Sequence, residues 1–198
     1  MTATRRLSAA ERRAAVLEEA CTVFSRASYR GATTAEIARA AGISEPILYR
    51  HFGSKRDLYL ACLEETWQRF RSSAEEAIAE NPAGCLGQIH DRYMASKERV
   101  RLVDLWIQAL TVAPEDAVIA KALRKQIREV HDFFADVIRK GQAAGVLLPD
   151  RDPVAEAWIF VGGGLLATVD NRLGGLIGDD LRRVRHERRR WMFGEDRA

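Results

Sequence analysis

Between Thr33 and Lys55 the chain reads TTAEIARAAGISEPILYRHFGSK, and no other stretch limits the fold as much. Thr33 followed three residues later by Glu36 has the spacing of a capping box, so a short helix is expected to start there. Ile37, Ala38 and Ala41 supply its apolar stripe. Gly42 then offers the left-handed backbone position on which a helix ends in a tight turn, because a residue without Cβ meets no steric penalty there. Ser44 is expected to cap a second helix, and Pro46 in its first turn removes only an N–H that has no intrahelical partner. Leu48 and Phe52, four apart, share one face and leave Tyr49, Arg50 and His51 on the others. Two short helices joined by a glycine turn have the geometry that sets the second into a DNA major groove.

Charge follows the same segment. Residues 1–60 hold ten basic side chains (Arg5, Arg6, Arg12, Arg13, Arg26, Arg30, Arg39, Arg50, Lys55, Arg56) against six acidic ones, a local balance of +4 in a chain of net charge +3. The remaining 138 residues therefore sum to about −1, and the positive charge sits where phosphate neutralisation needs it. With 47% apolar and 30% charged residues, rich in Ala, Leu, Arg and Glu, the 198-residue chain reads as globular and all-α. Few segments have the β-branched, period-two runs of strands.

Three cysteines without a C-x-x-C pair suggest neither a disulfide framework nor a zinc site. Cys21 and Cys62 fall on apolar stripes and are expected in the core, whereas Cys85 lies beside a Pro-Gly loop. His90 and His131 lack metal-ligand spacing, and His51 has no nucleophile or paired acid near it in sequence, so no metal, cofactor or catalytic residue is expected. A charged N-terminus running into an amphipathic helix does not read as a signal peptide. The most apolar run, Ala157–Val169, is too short to span a bilayer, and a cytoplasmic location with no membrane partner is expected.

Along the chain, Ser8 and Glu11 make a capping box for a first helix with Leu17, Cys21 and Phe24 inside. After the two short helices, Ser54 and Asp57 open a long fourth one, striped by Leu60, Leu63, Trp67, Phe70, Ala74 and Ile78. Asn81, Pro82 and Gly84 break it and mark a candidate domain boundary. Leu86, Ile89 and Tyr93 suggest a further helix, and Leu102–Leu110 is apolar on nearly every side. Pro114 is expected to begin a long helix with Ile119, Leu123, Ile127, Val130, Phe134 and Val137 inside, ended by Gly141 and Gly145. Asp152 and Pro153 open another to about Leu173; Gly174, Gly175 and Gly178 form a turn, and a last helix starts near Asp179.

The pattern Thr34, Glu36, Ile37, Ala38, Ala41, Gly42, Ile43, Ser44, Pro46, Leu48, Tyr49, His51, Phe52, Lys55 and Leu58 resembles the DNA-binding segment of TetR-family transcriptional regulators. The likeness spans roughly residues 8–60; beyond it the chain resembles the family only in helical pattern. It implies about nine helices, with residues 1–55 as an N-terminal helix-turn-helix DNA-binding domain and residues 56–198 as a C-terminal bundle for ligand binding and dimerisation. A homodimer on a palindromic double-stranded DNA operator, acting as a repressor released by a small apolar or amphipathic effector, is the function implied.

Tyr49, on the expected solvent face, can stack on sugar or contact base and phosphate. Lys55 resembles the family's phosphate-contacting lysine, at a helix start that itself favours anions. Thr34 and His51 are read as phosphate contacts, Ser44 as cap and phosphate contact together. Pro46 and Ile47 suit thymine methyl groups, and Glu45 either accepts from cytosine N4 or favours the positive helix end. Ala35 stands where some members carry a basic residue.

In the C-terminal part, Trp67, Tyr93, Met94, Trp106, Phe134 and Trp158 are expected on inner faces, either lining an apolar cavity or forming ordinary core. His90, Gln108 and Asn171 are candidate polar anchors for the effector. Gly162, Gly163 and Gly164 inside a helix cost up to about 1 kcal/mol each against alanine, which suggests close approach by another backbone or a ligand. A homodimer seam through this helix and the last one is expected. The six arginines from Arg182 to Arg190 read as a solvated face, with a second DNA contact as the alternative. The rival functions are an all-helical enzyme and a non-regulatory DNA-architectural protein.

Overall fold

A computed structural model describes residues 8–80 and 97–194, with the backbone alone at 97–101 and 185. Eight helices and no strand occur among these residues: α1 (Ala9–Arg26), α2 (Thr34–Ala40), α3 (Glu45–His51), α4 (Lys55–Glu80), α5 (Lys97–Val112), α6 (Ala117–Ala143), α7 (Pro153–Arg172) and α8 (Asp180–Phe193). The helix expected around Leu86, Ile89 and Tyr93, the break at Asn81–Gly84 and Cys85 lie outside the described residues.

The chain forms two compact units: Met1–Gln68 with Val100–Arg124, and Arg69–Arg99 with Lys125–Ala198. The first opens with the expected capping box, in which Ser8 Oγ accepts from Glu11 N–H at 3.1 Å while Glu11 accepts from Ser8 N–H at 2.7 Å. Its core gathers Val16, Leu17, Ala20, Cys21 and Phe24 of α1 with Ile37, Leu48, Leu58, Tyr59, Cys62 and Leu63. Tyr59 lies at its centre, edge-on to Phe24 and to Tyr29 with 4.9 Å between centroids in each case. Its hydroxyl donates to the Leu105 carbonyl of α5, and burial pushes the phenol far above its ordinary range. Leu102, Val103, Leu105, Trp106 and Ala109 are buried as the apolar run implies, but Leu110 is exposed.

The helix expected at Pro114 begins instead at Ala117. Pro114 sits in the turn, and Asp116 Oδ1 caps α6 by accepting from Val118 N–H at 3.0 Å and Ile119 N–H at 3.2 Å. A carboxylate with two backbone donors outweighs the proline's preference for a first helical position.

In the second unit Phe134 of α6 lies against Phe160 of α7, 4.1 Å between centroids, and near Phe70 of α4 at 6.0 Å. Buried Glu156 of α7 accepts from Trp191 Nε1 at 2.6 Å and pairs with Arg188 of α8. Arg188 thus has an internal partner, while Arg182, Arg183 and Arg190 make exposed pairs with acids three residues before them, as a solvated face does. One sequence expectation changes on α7. Trp158 is 40% exposed rather than on an inner face, its ring tilted against buried His131 with 4.4 Å between centroids; Asn171 is exposed. Among the described residues, leaving aside the helix's own nearby backbone, nothing lies within 4 Å of a Cβ built on Gly162 or Gly163.

Candidate nucleic-acid interface

The α2–α3 pair is built as its residues require. Thr33 Oγ1 accepts from Glu36 N–H at 3.1 Å to start α2. Gly42, at φ +65°, ends it: its N–H reaches Arg39 O at 3.1 Å, and Ile43 N–H reaches Ala38 O at 2.9 Å. These two bonds make a Schellman motif, in which a left-handed residue turns the chain and satisfies two orphan carbonyls. Ser44 has the extended backbone of an N-cap, but its side chain makes no capping bond; this corrects the sequence expectation and leaves its exposed hydroxyl outside the helix end. Leu48 is fully buried, and burying it turns Ser44, Pro46, Ile47, Tyr49 and Arg50 to solvent.

Tyr49 is 45% exposed, yet its hydroxyl lies 3.1 Å from Thr34 Oγ1. Thr34 is itself buried and donates to Glu45, so three residues read singly from the sequence form one polar chain across α2 and α3. His51, half-buried, closes α3. Phe52 is buried as its C-cap, with the Arg13 guanidinium 4.8 Å from its ring centroid.

Ser54 opens α4, accepting from Asp57 N–H at 3.1 Å and donating to Asp57 Oδ2 at 2.8 Å. Lys55 follows at once. Its ammonium lies 4.9 Å from the Tyr29 ring centroid and 3.3 Å from the Arg30 carbonyl. Partial burial lowers its pKa from the usual lysine range. The lysine is held at the rim rather than left loose, with its stem against an aromatic face.

Sequence reasoning missed the acids behind this rim. Arg30 pairs with Glu115, and Arg56 Nη1 lies 3.5 Å from Asp116 Oδ2. The Glu115–Asp116 dipeptide just before a helical stripe was the available signal, hidden by the proline ahead of it.

The structure describes only some of the expected effector residues. His90, Tyr93 and Met94 lie outside the described residues; Trp67 and Trp106 are buried in the first unit with Gln108 half-buried, and Phe134 is buried in the second. Among the described residues no group of three or more His, Cys, Asp or Glu side chains could hold a metal ion, and no helix is long and apolar enough to cross a membrane.

Val154, Trp158, Ile159, Leu166 and Val169 of α7 and its C-cap Leu173 are exposed at helical spacing, and Gly162 and Gly163 fall on the same stripe.

Residues 16–62 match the profile of the bacterial regulatory proteins of the tetR family. The transcriptional activator FasR of Mycolicibacterium smegmatis is 42% identical over 73 residues, 37% of this chain and 33% of FasR, so this match spans a third of that relative. The transcriptional regulatory protein RaaS of Mycobacterium tuberculosis is 30% identical over 158 residues, covering 77% of this chain and 69% of RaaS. Among solved structures, a TetR-family transcriptional regulator from Agrobacterium tumefaciens shares the fold with a TM-score of 0.69 at 22% identity, covering 83% of this chain and 88% of that one.

Proposed function

The chain belongs to the tetR family of bacterial regulatory proteins, and from that premise we propose that it is a homodimeric repressor whose α3 enters the major groove of a palindromic operator. Residues 1–55 carry the reader, and residues 56–198 carry dimerisation and effector binding. The observation that carries the reading is the outward face of α3: Pro46, Ile47 and Tyr49 stand exposed over a fully buried Leu48, with Lys55 at the start of the next helix. Pro46 and Ile47 offer apolar surface to thymine methyl groups, while Lys55, Ser44 and His51 fix register on the phosphates. Thr34 acts through its neighbours Glu45 and Tyr49.

The apolar stripe of α7, with Gly162 and Gly163 exposed on it, supports a dimer seam along that helix. Trp158 then belongs with that surface, and Trp67, His90, Tyr93, Met94, Trp106, Gln108, Phe134 and Asn171 remain the effector candidates. Release requires the effector to bind the free and DNA-bound states unequally, because equal affinity shifts nothing.

A gel-shift series on the DNA upstream of the protein's own gene, and on duplexes selected from a random pool, tests the first step. A sequence-specific complex that weakens with salt is expected. A complex indifferent to sequence would point to an architectural protein instead.

A further inference from the structure

Thr34, Tyr49 and Glu45 form a hydrogen-bonded chain whose direction follows from counting protons. The Thr34 hydroxyl touches Glu45 Oε1 and lies 3.1 Å from the Tyr49 hydroxyl. An ionised carboxylate only accepts, and a hydroxyl carries a single proton. Thr34 therefore donates to Glu45 and accepts from Tyr49, which uses the one proton of the phenol. Thr34 is 8% exposed against 45% for Tyr49, so the chain is anchored at its buried middle member. What the exposed phenol retains for a partner is its lone pairs.

We propose that α3 presents an acceptor-only edge to the duplex, so that Tyr49 and Glu45 select exocyclic amines, cytosine N4 or adenine N6. This rests on the operator-binding reading above. In the major groove cytosine and adenine offer a donor, whereas guanine N7 and O6 and thymine O4 accept. Phosphate oxygens also accept, so a phenol whose proton is held by Thr34 has nothing to offer them. Glu45 and Tyr49 stand four residues apart and share one face of α3, which directs them to neighbouring base pairs on the same edge. Tyr49 and Glu45 are thus the specificity-determining pair, and Thr34 is the positioning residue that sets their polarity.

The test uses the full chain and its preferred duplexes, selected from a random pool. Affinities of the wild type, Tyr49→Phe, Thr34→Val and Thr34→Ser are then measured on duplexes altered at each base pair in turn. The wild type should favour adenine or cytosine at one position by about three- to tenfold, the worth of a single net hydrogen bond. Tyr49→Phe should erase that preference at that position alone. Thr34→Val frees the phenolic proton and should move the preference toward guanine or thymine, while Thr34→Ser keeps the wild-type pattern. An equal loss for Tyr49→Phe on every duplex, or an unchanged pattern for Thr34→Val, would overturn the inference while leaving operator binding intact. Failure of the wild type to bind any duplex selectively would overturn the operator reading, and this inference with it.

Discussion

Asp116 holds two things at once: its Oδ1 caps α6, and its Oδ2 lies 3.5 Å from Arg56 Nη1 in the first turn of α4. Arg30 pairs with Glu115 in the same turn and lends its carbonyl to Lys55. The rim of the reader and the α5–α6 turn are therefore joined by charge within one compact unit. Exposed pairs of this kind contribute about 0–1 kcal/mol each, so they fix orientation more than they stabilise.

Asp116 gives this unit an acid sensitivity. Desolvation raises its pKa, but the N–H groups of Ile119 and Val118 and the Arg56 guanidinium together outweigh it and hold the carboxyl below the usual aspartate range. A folded value below the unfolded one means that the stabilisation is present above the unfolded pKa, about 3.9, and is lost as pH falls through the lower folded value. Thermal melts of Asp116→Ala should show a loss of about 1 kcal/mol near neutrality, with Asn in its place costing less because it also caps. The gap between wild type and Asp116→Ala should close in acid; a gap independent of pH would count against the ionised cap.

Tyr59→Phe isolates the link between α4 and α5. The ring packing against Phe24 and Tyr29 is kept and only the bond to Leu105 O is lost. About 1 kcal/mol of destabilisation is expected, read as a lower urea midpoint with an unchanged slope. No change in midpoint would mean that the hydroxyl contributes nothing net.

Gly42→Ala tests the turn. Among the described residues a Cβ at Gly42 would meet nothing within 4 Å, so the cost expected is that of the left-handed backbone at φ +65°, about 1–2 kcal/mol. Because the Schellman bonds set the angle between α2 and α3, weaker DNA binding should accompany the lower melting temperature. An unchanged melting temperature would show that the turn relaxes freely.

Much of this was legible from residue spacing, and the exceptions are physical. Gly42 and the Ser8–Glu11 box are local signals, decided within a few residues by backbone geometry, and they appear as read. Ala77 rather than Ile78 is buried in α4, and Gln126 rather than Ile127 in α6, because a buried seam that repeats about every 3.5 residues drifts from a stripe read at 3.6 over a long helix. Helical spacing suggests an inner face for Trp158, yet a helix with two apolar faces does not say which one meets its own chain. The Thr34–Glu45–Tyr49 chain joins residues 11 and 15 apart across a turn, and no periodicity reports such pairing.

Leu166→Asp probes the proposed dimer seam. Leu166 is exposed on α7 and makes no part of the protomer's own core, so the folded monomer should tolerate the change. A carboxylate buried without a partner across a two-fold axis costs several kcal/mol, enough to split a dimer. Sedimentation should give a dimer for the wild type and a monomer for the variant, with retained helix content. Identical sedimentation would place the seam elsewhere.

The most direct measurement is a salt-dependent titration of the wild type and Lys55→Ala on a selected duplex carrying two half-sites about 34–36 Å apart. Log affinity should fall linearly with log salt for both, with the slope of Lys55→Ala shallower by about 0.9 per protomer, one phosphate contact each. Moving the half-sites by half a turn should abolish tight binding. A slope unchanged by the loss of Lys55, together with indifference to half-site spacing, would contradict a reader that enters the groove as a pair.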